Sequence, residues 1–286
     1  MIAHHCLFIA LVSSLLTESL AVGFQCWNDP VPNPKECEGA ITNIHFDTTT
    51  KPSRLPLTEG KVRTINGGCA VSPYFGNLPD FWPSSFELGD IHLFLILITD
   101  HDASMTSFAL NQLIIKNPNR ASVTEDSIRK VLDDAAKQCP GKGGRFSFPE
   151  NRSVNLEIRP RAAPGSERLA FDPDFPLEKT YCYQGGKEIL PITDKGACIK
   201  ALENLPTDAN GIIMGDDNKP ATSVYKYSKS CTLYIFTTDQ SLLQVVKKDV
   251  APKITKMIQE CDTKRGNLNL NGAQGPNGRV LVYTYA

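Results

Sequence analysis

The sequence predicts an α+β protein built from two tandem copies of one disulfide-bonded domain. Each copy reads as a β-α-β-β-α-β unit of the split βαβ, ferredoxin-like type, an antiparallel sheet with two helices on one face. Three observations predict this. The cysteines beyond residue 23 divide four and four: Cys26, Cys37, Cys69 and Cys139, then Cys182, Cys198, Cys231 and Cys261. Their flanks recur, since Cys26-Trp27 answers Cys182-Tyr183, and Gly-Gly-Cys-Ala-Val around Cys69 answers Lys-Ser-Cys-Thr-Leu around Cys231. The apolar positions before the last cysteine also recur in register, as Ile128, Leu132, Ala135 and Ala136, then Val250, Ile254, Met257 and Ile258. That spacing is one face of a helix ending at the cysteine.

Residues 1–23 read as a signal peptide. Cys6 to Leu16 is an apolar run of the right length for its core and too short to span a bilayer. Small residues follow, so cleavage after Ala21 or Gly23 fits, although Met1 to His5 supplies no Lys or Arg. Removing Cys6 leaves an even number of cysteines, the disulfide signature of an oxidising compartment. The mature chain is therefore expected to be secreted and extracellular.

The first domain spans 24–160. Its last two cysteines are farther apart than their counterparts, which places an insertion at about 76–118, with Ile91 to Ile98 as a buried strand. A helix ends at Cys139, and a Gly-rich stretch leads to a strand at Val154–Ile158. Residues 161–179 hold Pro164, Gly165, Pro173 and Pro176 and form the linker, with Leu169, Phe171 and Phe175 as residues that pack. The second domain spans 180–286. It opens on a strand at Thr180–Tyr183, followed by a helix at Thr193–Leu205 with Thr193 or Asp194 as its cap. Strands at Ser223–Tyr227 and Cys231–Thr237 flank Ser228-Lys229-Ser230. A helix capped by Asp239 or Ser241 runs to Glu260, with Pro252 as a kink or early break. The last strand ends at Tyr285. In this topology Cys231 and Cys261 lie at one end and could pair, leaving Cys182 with Cys198; four cysteines allow three pairings.

Thirty basic and thirty-one acidic residues give a net charge of −1. Such a balance gives no electrostatic basis for binding nucleic acid or an anionic membrane, and no later stretch is long and apolar enough for stable membrane insertion. No catalytic, metal or cofactor site is expected. The mature chain's histidines, His45, His92 and His101, lack metal-ligand or triad spacing. Asp100-His101-Asp102 reads as a solvated turn, Asp133-Asp134 as a helix's polar face, and Asp216-Asp217 as a turn. Gly141-Lys142-Gly143-Gly144 precedes a strand, whereas a phosphate cradle precedes a helix. Asn151-Arg152-Ser153 is a glycosylation sequon. Two acidic or His side chains converging in one cleft would point instead to a small secreted hydrolase.

Pro73 to Phe86 is the candidate recognition surface. It carries Tyr74, Phe75, Phe81, Trp82 and Phe86 among three prolines and has no counterpart in the second copy. Stiffened aromatic faces suit sugar rings or a partner's apolar pocket. The same rings could instead cover the 91–98 strand and extend the core.

Signal peptide, four cysteines per unit and the β-α-β-β-α-β order together resemble the killer-toxin-like secreted proteins of fungi, including the smut-fungus killer toxins. The second copy, with Lys-Ser-Cys-Thr-Leu, a helix, Cys261 and a Gly-rich turn, is also similar to the extracellular necrosis-inducing effectors. The resemblance implies a virulence-type effector or toxin acting by binding a host or competitor protein, glycan or cell-surface component. It also implies a precursor cut at a dibasic site. Here the linker has only Pro160-Arg161 and Glu167-Arg168, and Lys264-Arg265 falls inside the second copy. A secreted carbohydrate-binding protein is the alternative, and exposed aromatics would mark it.

Overall fold

A computed structural model describes residues 23–30, 37–66, 111–183, 192 and 194–286. Most of the signal segment, Cys69, His92, His101, the aromatic segment from Tyr74 to Phe86 and the 91–98 run lie outside them.

The first copy contributes β1 (Phe24–Pro30), α1 (Glu38–Ile41), β2 (Lys61–Thr64), β3 (Asn111–Lys116), α2 (Glu125–Gln138), β4 (Lys142–Phe148) and β5 (Asn151–Pro160). The second contributes β6 (Thr180–Tyr183), α3 (Lys195–Glu203), β7 (Ser223–Ser228), β8 (Cys231–Thr237), α4 (Lys247–Cys261), β9 (Arg265–Leu270) and β10 (Val280–Tyr285). Each copy forms one five-stranded antiparallel sheet, in the orders β1-β4-β5-β3-β2 and β6-β9-β10-β8-β7. Every strand holds the same place in both, so the duplication is architectural.

The α+β class and the tandem antiparallel units are as expected, but each sheet has five strands and not four. The additional strands, β4 and β9, follow the long helices directly, where glycine suggested a turn. Glycine sits there because the backbones approach closely. A Cβ on Gly144 would lie 2.6 Å from the Gln25 carbonyl oxygen and 2.8 Å from the Phe146 ring. Gly144 stands opposite Cys26, and Gly266 of β9 stands opposite Cys182. The pair recurs at the same register.

α2 begins at a capping box: Thr124 accepts from the Ser127 amide (3.2 Å), and Ser127 returns the bond. It buries Ile128, Val131, Leu132 and Ala135, Val131 taking the place expected for Ala136. α3 is capped by Asp194, whose carboxylate accepts from the Gly196 amide at 2.8 Å. α4 begins at Lys247, later than Asp239 or Ser241 predicted, because Leu243 and Val245 bury alternately from an extended segment. Pro252 lies within α4 without ending it. The expected insertion at 76–118 overlaps β3, a strand of the repeated sheet, so the excess chain belongs between β2 and β3.

Observed disulfides are Cys26–Cys139, Cys182–Cys261 and Cys198–Cys231. Cys37, in the place of Cys198, is also disulfide-bonded. Cys231 and Cys261 do not pair, since β9 and β10 stand between β8 and the β6 edge that Cys261 meets. Among the described residues no bridge joins the copies.

Both helices of each copy share a core with the inward side chains of its sheet. The opposite faces differ. On the first sheet Glu157, buried, meets Lys116 (2.6 Å), Arg145 (2.7 Å) and Arg159 (3.0 Å). On the second sheet the face is aromatic, and the linker folds back onto it through a 3-10 helix at Glu167–Phe171. Phe171 stacks on Phe236 (6.4 Å) and meets Tyr283 edge-on (6.1 Å), while Phe175 meets Tyr181 (5.6 Å).

Candidate binding face and the seam between the copies

Strand alternation sets the aromatic face. Inward positions of β8 and β10, such as Leu233, Ile235, Val280 and Val282, enter the core, so Tyr234, Tyr283 and Tyr285 point the other way. In register, Tyr225 stands opposite Tyr234, which stands opposite Tyr283; one step along, Tyr227 and Tyr285 both stand opposite Thr232. Tyr283 and Tyr285 stack at 5.3 Å, and Tyr234 and Phe236 at 4.7 Å. The inner rings are partly buried, and burial pushes the Tyr234 and Tyr285 phenols above their ordinary range. At the β7 edge Tyr225 is 45% exposed and Tyr227 66%. Arg265 borders the platform, donating to Glu167 (2.9 Å) and to the Tyr283 hydroxyl (2.8 Å).

A second polar cluster lies where the copies meet. The Gly60 and Lys61 amides donate to the Asp239 carbonyl at 2.9 and 3.1 Å. Asn277, in the Gly275-Pro276-Asn277-Gly278 loop before β10, donates its amide to Glu59 Oε1 (2.8 Å) and its side chain to Oε2 (2.7 Å). Its side chain also clasps the His45 backbone, accepting from the amide (2.7 Å) and donating to the carbonyl (2.9 Å). Asp239 Oδ1 accepts from the Ser241 amide and hydroxyl, at 3.1 and 2.8 Å. Glu59 and Asp239 are each 1% exposed. Burial, reinforced by the neighbouring Asp239, pushes Glu59 up to about 7, and burial raises Asp239. Arg63 faces this cluster; burial lowers its pKa, while Asp172 and Asp239 hold it up.

Two carboxyls therefore converge, the arrangement that would favour a hydrolase. They converge under a lid of backbone: a Cβ on Gly275 or Gly278 would collide with Asp239, and one on Gly275 would also lie 2.7 Å from Glu59 Oε1. No substrate atom fits there. The nearby cleft lined by Arg63, Phe171, Asp172, Thr238 and Arg279 has room only for about a water.

Other sequence-derived candidates stay apart. Asn151 opens β5 with its Oδ1 accepting from the Ser153 amide (3.1 Å) and hydroxyl (2.7 Å). Asp216 pairs with Lys226, and Asp217 with Lys219 (3.3 Å). Tyr74, Phe75, Phe81, Trp82 and Phe86 lie outside the described residues. Among the described residues no group of His, Cys, Asp or Glu could hold a metal ion, and no helix is long and apolar enough to cross a membrane. The tyrosine face was not singled out from sequence, although Tyr-x-Tyr in both β7 and β10 was the signal. The seam left none, because its partners are some two hundred residues apart.

No known protein-family profile matches the chain, and no curated protein sequence resembles it. Among solved structures, it is similar to the tandem DUF26 ectodomain of the cysteine-rich receptor-like protein PDLP8 from Arabidopsis thaliana. That match has 8% identity and a TM-score of 0.24 over 93% of this chain and 97% of the other. A second is the tandem DUF26 ectodomain of PDLP5 from the same plant, at 10% identity and a TM-score of 0.22 over 60% and 72%. Likeness at this level bears on neither fold nor function.

Proposed function

We propose that the protein is a secreted, non-catalytic binding protein whose second copy takes carbohydrate on its tyrosine face. The observation that carries this reading is the exposed edge of the platform, Tyr225 and Tyr227, continuous with the stacked rings behind it. Stacked phenol rings offer flat apolar faces to the C–H face of a sugar, and their hydroxyls offer hydrogen bonds along the rim. Burial of the seam carboxyls beneath the Gly275–Gly278 loop supports a role without catalysis at that site. An effector or toxin-like role toward a host or competitor is the use we assign to such binding; the aromatic segment from Tyr74 to Phe86 would add a second contact.

The test is a glycan array probed with the full secreted protein, followed by titration of the best ligand against Tyr227→Ala. Affinity is expected to fall about tenfold or more with the melting temperature unchanged, since an exposed ring carries binding and not packing. Unchanged affinity in this variant would remove the tyrosine face as the site. Binding to proteins and to no glycan would favour the protein-target reading.

A further inference from the structure

We propose that the two copies are latched by a proton shared between Glu59 of the first and Asp239 of the second, so that losing this proton loosens the seam. Three geometric facts place the proton. Asp239 Oδ2 is buried and makes no hydrogen bond among the described residues. It flanks, together with Glu59 Oε1, the one position where a Cβ on Gly275 would stand. The other three carboxylate oxygens already accept from protein donors, Glu59 Oε1 and Oε2 from Asn277 and Asp239 Oδ1 twice from Ser241, so the proton belongs on Asp239 Oδ2 and is shared toward Oε1. Two like charges packed this closely in a dry site cannot both be ionised, and one shared proton resolves them. A cation would need carbonyl or carboxylate oxygens turned toward it. The backbone here instead presents N–H groups, from Asn277 to Glu59 and from Gly275 to the Ser241 hydroxyl (2.9 Å).

The direction with pH follows. Glu59 is held near 7 against an ordinary value of 4.5, so the closed seam keeps a proton that an opened seam releases. Closure is full at acid pH and is lost as pH rises through 7. Asp239, raised in the same sense, adds to this. The other charged groups facing the pair are Arg63 of β2, which steadies the anionic form of Asp239, and Asp172 of the linker, which faces Arg63 and is raised by burial to about 6. His45 touches the cluster through its backbone alone.

The test is amide exchange on the full-length protein at pH 6 and pH 8, corrected for the intrinsic rate and read at Gly60, Lys61 and Asn277. Protection in the native protein is expected to fall roughly tenfold between these conditions. Asp239→Asn supplies a permanent donor at the Oδ2 position; its seam amides are expected to stay protected at pH 8. Asp172→Asn is expected to retain the native pH response. Native protection independent of pH, or a response that disappears in Asp172→Asn and persists in Asp239→Asn, would overturn the latch. Should Asp239→Asn not fold, the native profile and Asp172→Asn decide it.

Discussion

At the residue scale two buried carboxylates have opposite fates. Burial alone would raise Glu157, but Lys116, Arg159 and Arg145 overcome it and hold Glu157 below its ordinary value. Its stabilising share is present above pH 4.5 and is lost as acid protonates it. Glu59 has no ion pair among the described residues and moves the other way. Replacing Glu157 by Ala withdraws the shared anion from three cations and should cost about 3–5 kcal/mol, read as a lower urea midpoint at unchanged slope. A loss below 1 kcal/mol would show that the cluster is solvated and not structural. Charge at position 157 was legible in the sequence; its burial was not, because Glu157 sits on an alternating strand whose outward face looks solvent-directed until Lys116, Arg145 and Arg159 close around it.

At the element scale the disulfides fix which strands and helices stay together. Cys26–Cys139 and Cys182–Cys261 each tie the sheet's first edge strand to the end of the long helix, and Cys198–Cys231 ties α3 to the start of β8. Replacing Cys198 and Cys231 together by Ser should lower stability by about 2–5 kcal/mol while the second sheet still forms; unfolding followed by circular dichroism measures both. The helix faces, the hairpin and both terminal strands of the second copy could be read from spacing, because apolar periodicity reports burial directly. β4 and β9 could not. Their glycines mimic a turn, and the reason for them, contact with a neighbouring backbone and with the long helix, belongs to the assembled sheet. The late start of α4 escaped for a similar reason: 241–246 reads equally as helix or strand until Leu243 and Val245 find the core.

At the scale of the whole molecule, the observed bridges close within each copy and the copies are joined by the linker and the seam. Arg161 is bound to Asp172 (3.0 Å) and Asp174, whereas Arg168 is exposed. Trypsin is therefore expected to cut after Arg168 before Arg161, as mass spectrometry of early fragments would show; the reverse order would mean that the linker's ion pairs do not hold in solution. Linker composition suggested a protease-sensitive tether, and Phe171 and Phe175 that part of it packs, but not that the second sheet is what they pack on. The bridges also set how the molecule answers tension. Pulled from its ends, the chain cannot run out between Cys26 and Cys139 or between Cys182 and Cys261. Only the residues ahead of Cys26, the stretch from Cys139 to Cys182 and the tail beyond Cys261 are free to lengthen, at about 3.5 Å per residue. Those segments hold β4, β5, β9 and β10, two of the three interior strands of each sheet. The helices and the β7–β8 hairpin would stay clamped inside covalent rings while the middle of each sheet is drawn out, which makes the molecule a short, stiff spring with two fixed stops.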